Sequence, residues 1–460
     1  MTSIDQGYAI SAEKLDEKWE GLYDRFNDNP ATNKEFGENH QLLLRLQRAI
    51  SWLDGAQQVE KGAEGKSISA QFIFFWISFN ALYDKNFYEF SDNKSREIHI
   101  NLIKEYFDDI LGSEDAKYHI RNTIDNNILT EIDELTKKRV NLFVQPKVFK
   151  KWYKIRGRKN WLIQKLKKLD LRPKARKQDT REILDRVFGC LCVLRNQLMH
   201  GGSAWNDSLN KSQLSIGVRI MQCLLPVFIK IEKSDNSNPT SDKKETKGNV
   251  SFLLCAGSWL DGAQKIEKGL EEIGKNIDTQ FIFLWAGFNA IYAKDEENPS
   301  EKKQIEECFQ KLLKGNEEKD SIYKVINNSN LKEKVESLEK GITLSKDFLK
   351  KEEAIPFPGW NRESTERILC YIFQRFRALR NELVHGHVTW GCKLKKSQLA
   401  DSTKIMHQLL PFFIDIMLKI PEKEWRQWGK IWQPRVLGVG IKGRPFEETP
   451  WSEQTFRDPK

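Results

Sequence analysis

Apolar side chains recur along this chain with the spacing of a helix, not the alternation of a strand. In QFIFFWISFNALY, Phe72, Trp76, Phe79 and Tyr83 stand at i, i+4, i+7 and i+11, one face of a helix. FGCLCVLRNQLMHG reads as an apolar helix with Gly201 as its C-terminal cap, and Gly386 takes the same role in a second such stretch. KSQL at 211–214 and at 396–399 opens a further helix with Ser212 or Ser397 as N-cap. Pro226 or Pro411 lies inside that helix, where a proline removes a hydrogen bond and should kink it. Strand signals are weak everywhere. The pattern predicts an all-α protein.

Most of these stretches come in pairs, so the chain reads as a tandem duplication. SWLDGAQQVEKG at 51–62 returns as SWLDGAQKIEKG at 258–269, and AQFIFFWISFNALY at 70–83 returns as TQFIFLWAGFNAIY at 279–292, the latter at an offset of 209. RNQLMHG at 195–201 returns as RNELVHG at 380–386, now at an offset of 185. The first copy therefore carries about 24 extra residues between these blocks, in the region of a strongly basic run. The expected organisation is an N-terminal extension (1–40), a first bundle (41–231) with a basic insertion at about 137–181, a linker (232–249), a second bundle (250–420) and a Trp-rich tail (421–460). Each bundle should hold four or five helices. The linker is assigned from its Ser, Asn and Lys content and its lack of periodicity.

Composition narrows the class. A hydrophobic content of 39% with 14 Trp and 26 Phe supplies packed cores and excludes a wholly disordered protein. The seven cysteines include no C-x-x-C pair and no Cys/His cluster, which fits a reducing compartment and argues against a disulfide framework or structural zinc. The opening residues are polar and acidic, and QFIFFWISF is far short of a membrane span. The expectation is a soluble, cytoplasmic protein without a membrane role.

Charge changes the picture more. The net charge is +10, yet residues 137–181 alone hold 18 Lys/Arg against Asp170 and Asp179, a local +16 that leaves the remainder at −6. Within it Lys150, Lys151, Lys154, Arg156, Arg158 and Lys159 interleave with Trp152, Tyr153 and Trp161. Charges for phosphates and rings for bases are what single-stranded or looped RNA requires. RNA contact is the expectation here, with an acidic partner protein as the rival. The matching part of copy two, around 293–367, is nearly balanced in charge.

Of seven histidines only His200 and His385 occupy equivalent positions, each preceded by an asparagine four residues earlier (Asn196, Asn381) and an arginine five earlier (Arg195, Arg380). On one helix Asn196 and His200 share a face, while Arg195 is turned about 140° from His200. A second, facing helix would bring an arginine and a histidine together, and the duplication supplies it. Histidine moves protons near neutral pH, arginine presents a charged fork to phosphate, and asparagine can orient either. Together they suffice for phosphodiester cleavage by a ribose 2′-hydroxyl, with no metal and no cofactor.

R-N-x-x-x-H at the end of an apolar helix, inside a helical bundle, resembles the R-x4–6-H motif of the HEPN superfamily. The FWISFNALY and RNQLMHG blocks look most like its Apea-like group. The resemblance spans roughly 41–231 and 250–420. It implies an intramolecular pseudo-dimer of two bundles with one composite site. It also implies metal-independent RNA cleavage to a 2′,3′-cyclic phosphate, in anti-phage defence or a toxin–antitoxin system. Arg195 and Arg380 would grip phosphate, His200 and His385 would move protons, and Asn196 and Asn381 would support them. Two other readings stay open: a non-catalytic RNA-binding protein whose motif only stabilises the interface, and a regulatory subunit needing an antitoxin or defence-complex partner. Asn80 and Asn289 read as satisfied buried amides, and Asp54, Asp261, Glu60 and Glu267 as surface or helix-end residues, with a supporting contact to the motif arginine as the alternative.

Overall fold

Helical periodicity becomes fifteen α-helices among the described residues, which in this computed structural model are 11–27, 36–60, 67–83, 95–137, 177–199, 208–236, 246–268, 277–293, 300–341, 357–386, 396–421 and 424. The first copy and its extension comprise α1 (Ala12–Asn27), α2 (Phe36–Glu60), α3 (Ile68–Tyr83), α4 (Ser95–Ile110) and α5 (Glu114–Thr123). A π-helical turn (Ile124–Ile128), α6 (Leu129–Lys137), α7 (Lys177–Met199) and α8 (Ser208–Asn236) follow. The second copy comprises α9 (Thr246–Lys268), α10 (Ile277–Tyr292), α11 (Glu301–Leu312), α12 (Asn316–Ile326), α13 (Ser329–Gly341), α14 (Thr365–Val384) and α15 (Lys396–Leu418). No strand occurs among the described residues, so the protein is all-α there.

The two copies exchange their first helices. Helix α2 lies along α10 of the second copy, and α9 lies along α3 of the first. The same side chains make both contacts: Trp52 meets Phe283 edge-on at 5.1 Å, and its counterpart Trp259 meets Phe74 at 4.9 Å. Trp52 and Trp259 are both fully buried. Ser78 Oγ donates to the Ala256 carbonyl at 2.7 Å. At the equivalent position Gly287 has no hydroxyl, and a Cβ built there would stand 3.3 Å from the Ala49 carbonyl. Helix α1 is drawn into the same exchange. It packs on α2 and α15, through Lys18 Nζ to Asp415 Oδ1 at 2.6 Å and through buried Leu15 and Trp19.

Each bundle is centred on the same four phenylalanines. Phe79 lies 4.3 Å from Phe188, which lies 5.1 Å from Phe107 and 6.0 Å from Phe228. In the second copy Phe288 lies 4.2 Å from Phe373, which lies 5.1 Å from Phe309 and 5.7 Å from Phe413. Edge and tilted geometries of this kind add roughly 0.5–1.5 kcal/mol per pair beyond the area buried. Phe107 and Phe309 place α4 opposite α11, so the duplication runs through a segment where identity is too sparse to show it. Each copy accordingly holds more helices than the four or five expected.

Two further expectations are corrected. Helix α8 already begins at Ser208, leaving Ser212 exposed inside it, while Ser397 is exposed as the second residue of α15; neither serine is an N-cap. Residues 232–236 belong to α8 and 246–249 to α9, so the polar connection between copies is helical at both ends. Pro226 and Pro411 both sit inside helices that continue past them. Among the described residues one window, Lys211–Ser234 in α8, has the length and hydropathy to cross a membrane. As 61% of it is buried inside the protein, it is the core helix of the first bundle.

Candidate functional site at the ends of α7 and α14

The RNxxxH stretches fall where two amphipathic helices stop. Arg195 and Asn196 occupy the last turns of α7, Arg380 and Asn381 those of α14, and His385 is the C-cap of α14. At the end of α14 the backbone closes as expected for a glycine-terminated helix, whereas Gly201, the corresponding cap expected for α7, lies outside the described residues. The His385 amide bonds to the Asn381 carbonyl at 3.0 Å, the Gly386 amide bonds to Leu383 at 2.9 Å, and Gly386 has φ +70°.

Both helix ends are seated on the opposite copy. Asn80 Nδ2 of α3 donates to the Val384 carbonyl of α14 at 2.6 Å, and Asn289 Nδ2 of α10 donates to the Met199 carbonyl of α7. A helix C-terminus leaves carbonyls without intrahelical partners, and a buried one must find a donor elsewhere. The two asparagines supply it reciprocally across the exchange, which is why FNALY and FNAIY retain the amide in an aromatic helix. The satisfied-amide expectation for these nitrogens thereby gains its partner. Asn289 Oδ1, by contrast, is buried without a hydrogen bond.

Gly386 makes the seating close. A Cβ there would stand 2.6 Å from Ala81 Cβ and 2.8 Å from the Ile77 carbonyl on α3. Gly386→Ala therefore combines a left-handed backbone with a collision against a helix of the other copy. It should cost about 2–3 kcal/mol, read as a fall in the denaturant midpoint. A midpoint equal to the parent's would mean that α3 and α14 are not held this tightly.

The two copies treat their arginines differently. Arg195 is half-buried, and its Nη1 donates to Asn196 Oδ1 at 2.7 Å; Asn196 Nδ2 in turn faces Cys192 Sγ at 3.9 Å. Burial pushes the Cys192 thiol above its ordinary range, so it stays a neutral neighbour. Arg380 is 9% exposed and lies 5.2 Å from the Trp285 ring. Its Nη2 bonds to Glu301 Oε1, while Arg377 Nε bonds to Glu301 Oε2 at 3.1 Å. Tyr292 Oη donates to Glu301 Oε1 at 2.6 Å. Burial first, and then the Glu301 carboxylate, push the Tyr292 hydroxyl well above its usual range, so it remains a donor. Tyr83, its counterpart, donates instead to Asn80 Oδ1 at 2.7 Å.

Helix α10 touches both motif helices within one turn. Arg380 sits over Trp285, and the Met199 carbonyl is held by Asn289, four residues further on. Four residues of helix rise about 6 Å. His385 is buried at 5% exposure. His200 lies outside the described residues, as do Lys150, Lys151, Trp152, Tyr153, Lys154, Arg156, Arg158, Lys159 and Trp161. Asp54 accepts from Gln58 at 2.7 Å and Asp261 pairs with Lys265 at 3.1 Å, each within its own helix. Among the described residues no group of three or more His, Cys, Asp or Glu side chains is placed to hold a metal ion.

Glu301, Arg377 and Tyr292 were not singled out in the sequence. Tyr292 stood in a repeated block, and Arg377 stands one turn before Arg380, but its counterpart is Cys192, so the repeat gave it no weight. Glu301 follows Ser300, whose side chain accepts from the Lys303 amide as the N-cap of α11. That cap was readable; the arginine contact was not. Comparison with known proteins adds no relative: no family model, no curated protein and no solved structure matches the chain.

Proposed function

We propose that the protein is a metal-independent endoribonuclease of the HEPN type, in which two bundles form an intramolecular pseudo-dimer and both RNxxxH motifs serve one composite site. The observation that carries this reading is the reciprocal seating of the motif helices, Asn80 on the end of α14 and Asn289 on the end of α7. It supports a shared, pseudo-symmetric junction for the two motifs. At such a site the arginines hold a phosphodiester. The ribose 2′-hydroxyl attacks phosphorus as a histidine takes its proton. The bond to the 5′-oxygen then breaks as the second histidine donates one, leaving a 2′,3′-cyclic phosphate and a 5′-hydroxyl. The basic segment 137–181 draws RNA in, and the biological setting is anti-phage defence or a toxin–antitoxin system.

A second reading is favoured by the burial of His385 and the Glu301 contact of Arg380. In it the motifs hold the interface, and the chain binds RNA or acts as a regulatory subunit beside a partner. End-labelled total RNA incubated in excess EDTA separates the two. Cleavage by the parent with cyclic phosphate ends, absent in His200→Ala/His385→Ala, supports the nuclease. Equal RNA binding by both with no cutting supports the second reading.

A further inference from the structure

We infer that Glu301 is a carboxylate latch on a phosphate-binding half-site formed by Arg377, Arg380 and Tyr292, holding the place that a backbone phosphate of the nucleic acid takes on binding. This rests on reading Arg380 as a phosphate-binding arginine.

The carboxylate has the contacts a phosphate would want. Oε1 accepts from Arg380 and from Tyr292, and Oε2 accepts from Arg377. Three donors thus converge on one small anion. Arginine forks and phenolic hydroxyls recognise carboxylate and phosphate by the same geometry. The arginine side chains are deep, at 3% exposure for Arg377 and 11% for Arg380, whereas the Glu301 side chain is 25% exposed. The anion position is therefore reached from solvent on the Glu301 side. Glu301 is also the first residue of α11, just after its N-cap. Its withdrawal disturbs one helix end and not a helix interior.

The sequence around this cluster differs in charge between the two copies. Arg377 replaces Cys192, adding one positive charge, and Glu301 removes one. With the latch closed, the group carries a net +1. With the latch displaced, two adjacent guanidiniums, at i and i+3, face the incoming phosphate. The Arg380 Nε is buried without a hydrogen bond in the closed arrangement. The latched state leaves that donor unused.

The test is titration of the full-length protein with inorganic phosphate at fixed ionic strength, followed by calorimetry, for the parent, Glu301→Gln and Glu301→Asp. Glu301→Gln keeps the size and the acceptor oxygen but removes the competing charge. It should tighten phosphate binding about tenfold, given a unit charge removed from within a few ångströms of the site. Glu301→Asp draws the carboxylate back by one methylene while leaving all three donors in place, and should give a smaller gain of the same sign. Adding Arg380→Ala to Glu301→Gln should abolish the gain. Unchanged or weaker phosphate binding in folded Glu301→Gln overturns the proposal and leaves Glu301 a counter-ion for Arg377. A gain that survives Arg380→Ala overturns it too, because phosphate then binds elsewhere. If Glu301→Gln does not fold, Glu301→Asp decides by the same signs. RNA cleavage on the same proteins separates this from the nuclease reading: a tenfold gain without any cleavage keeps the latch and rejects the nuclease, and cleavage without the gain does the reverse.

Discussion

Residues 1–240 and 241–460, produced as separate chains, should each fail to give a folded monomer, whereas produced together they should assemble one to one. The reason is the helix exchange. In the first fragment, α3 loses α9, uncovering Phe74 and leaving Ser78 Oγ without the Ala256 carbonyl. In the second, α10 loses α2, and Phe283 loses Trp52. Removing one fully buried tryptophan side chain costs about 3–5 kcal/mol, and here a whole helix departs from each bundle. A typical folding margin is roughly 5–15 kcal/mol, so the isolated halves should aggregate or pair with themselves. Size-exclusion chromatography with light scattering, together with circular dichroism melts, reads the outcome. A monomeric 241–460 fragment with a cooperative melt would mean that the exchange contributes little.

His200→Ala and His385→Ala, made singly, should each abolish RNA cleavage almost as fully as the pair. General acid–base catalysis contributes about a hundred- to ten-thousand-fold, and groups acting as one unit lose most of their effect when either is removed. One composite site requires that both copies supply a histidine, so each single substitution should cost that factor. Single-turnover rates on a labelled RNA measure it. If each substitution only halves the rate, the motifs work as two independent sites and the shared junction has no catalytic meaning. If the rate does not change, the histidines are structural, in keeping with the 5% exposure of His385.

Much of the fold was legible because helices announce themselves locally. The aromatic blocks at 70–83 and 279–292 are the fully buried helices α3 and α10, and Gly386 closes α14 as its position suggested. The equivalence of α4 with α11 was not legible. IKEYFDDIL and IEECFQKLL retain Ile103/Ile305, Phe107/Phe309 and Leu111/Leu313, and change almost everything between. These are buried positions, held by packing; of the residues between, Tyr106 and Ile110 are also buried but give way to Cys308 and Leu312, and the rest vary freely in polar type, so too little identity remains to show the repeat. The misplaced caps have a related cause: a serine before an apolar run looks like a helix start, but Ser212 and Ser397 only occupy the wet face of helices already under way.

Of the candidate site, the arginine, asparagine and histidine positions could be read from repetition alone, and so could the amides of Asn80 and Asn289. What the amides bond to could not. By itself the sequence determined that the repeated aromatic and RNxxxH blocks are helical, that they come twice, and which polar residues both copies keep, because periodicity and repetition are properties of neighbours along the chain. Only the tertiary structure decided that α2 and α9 trade places, that each amide caps the other copy's motif helix, and that Glu301 closes on Arg377 and Arg380. Those contacts join residues some 75 to 300 positions apart. Two copies of one sequence offer each helix two nearly identical surfaces, and the choice between them depends on the geometry of the connections and on packing across the whole molecule, which no local pattern encodes.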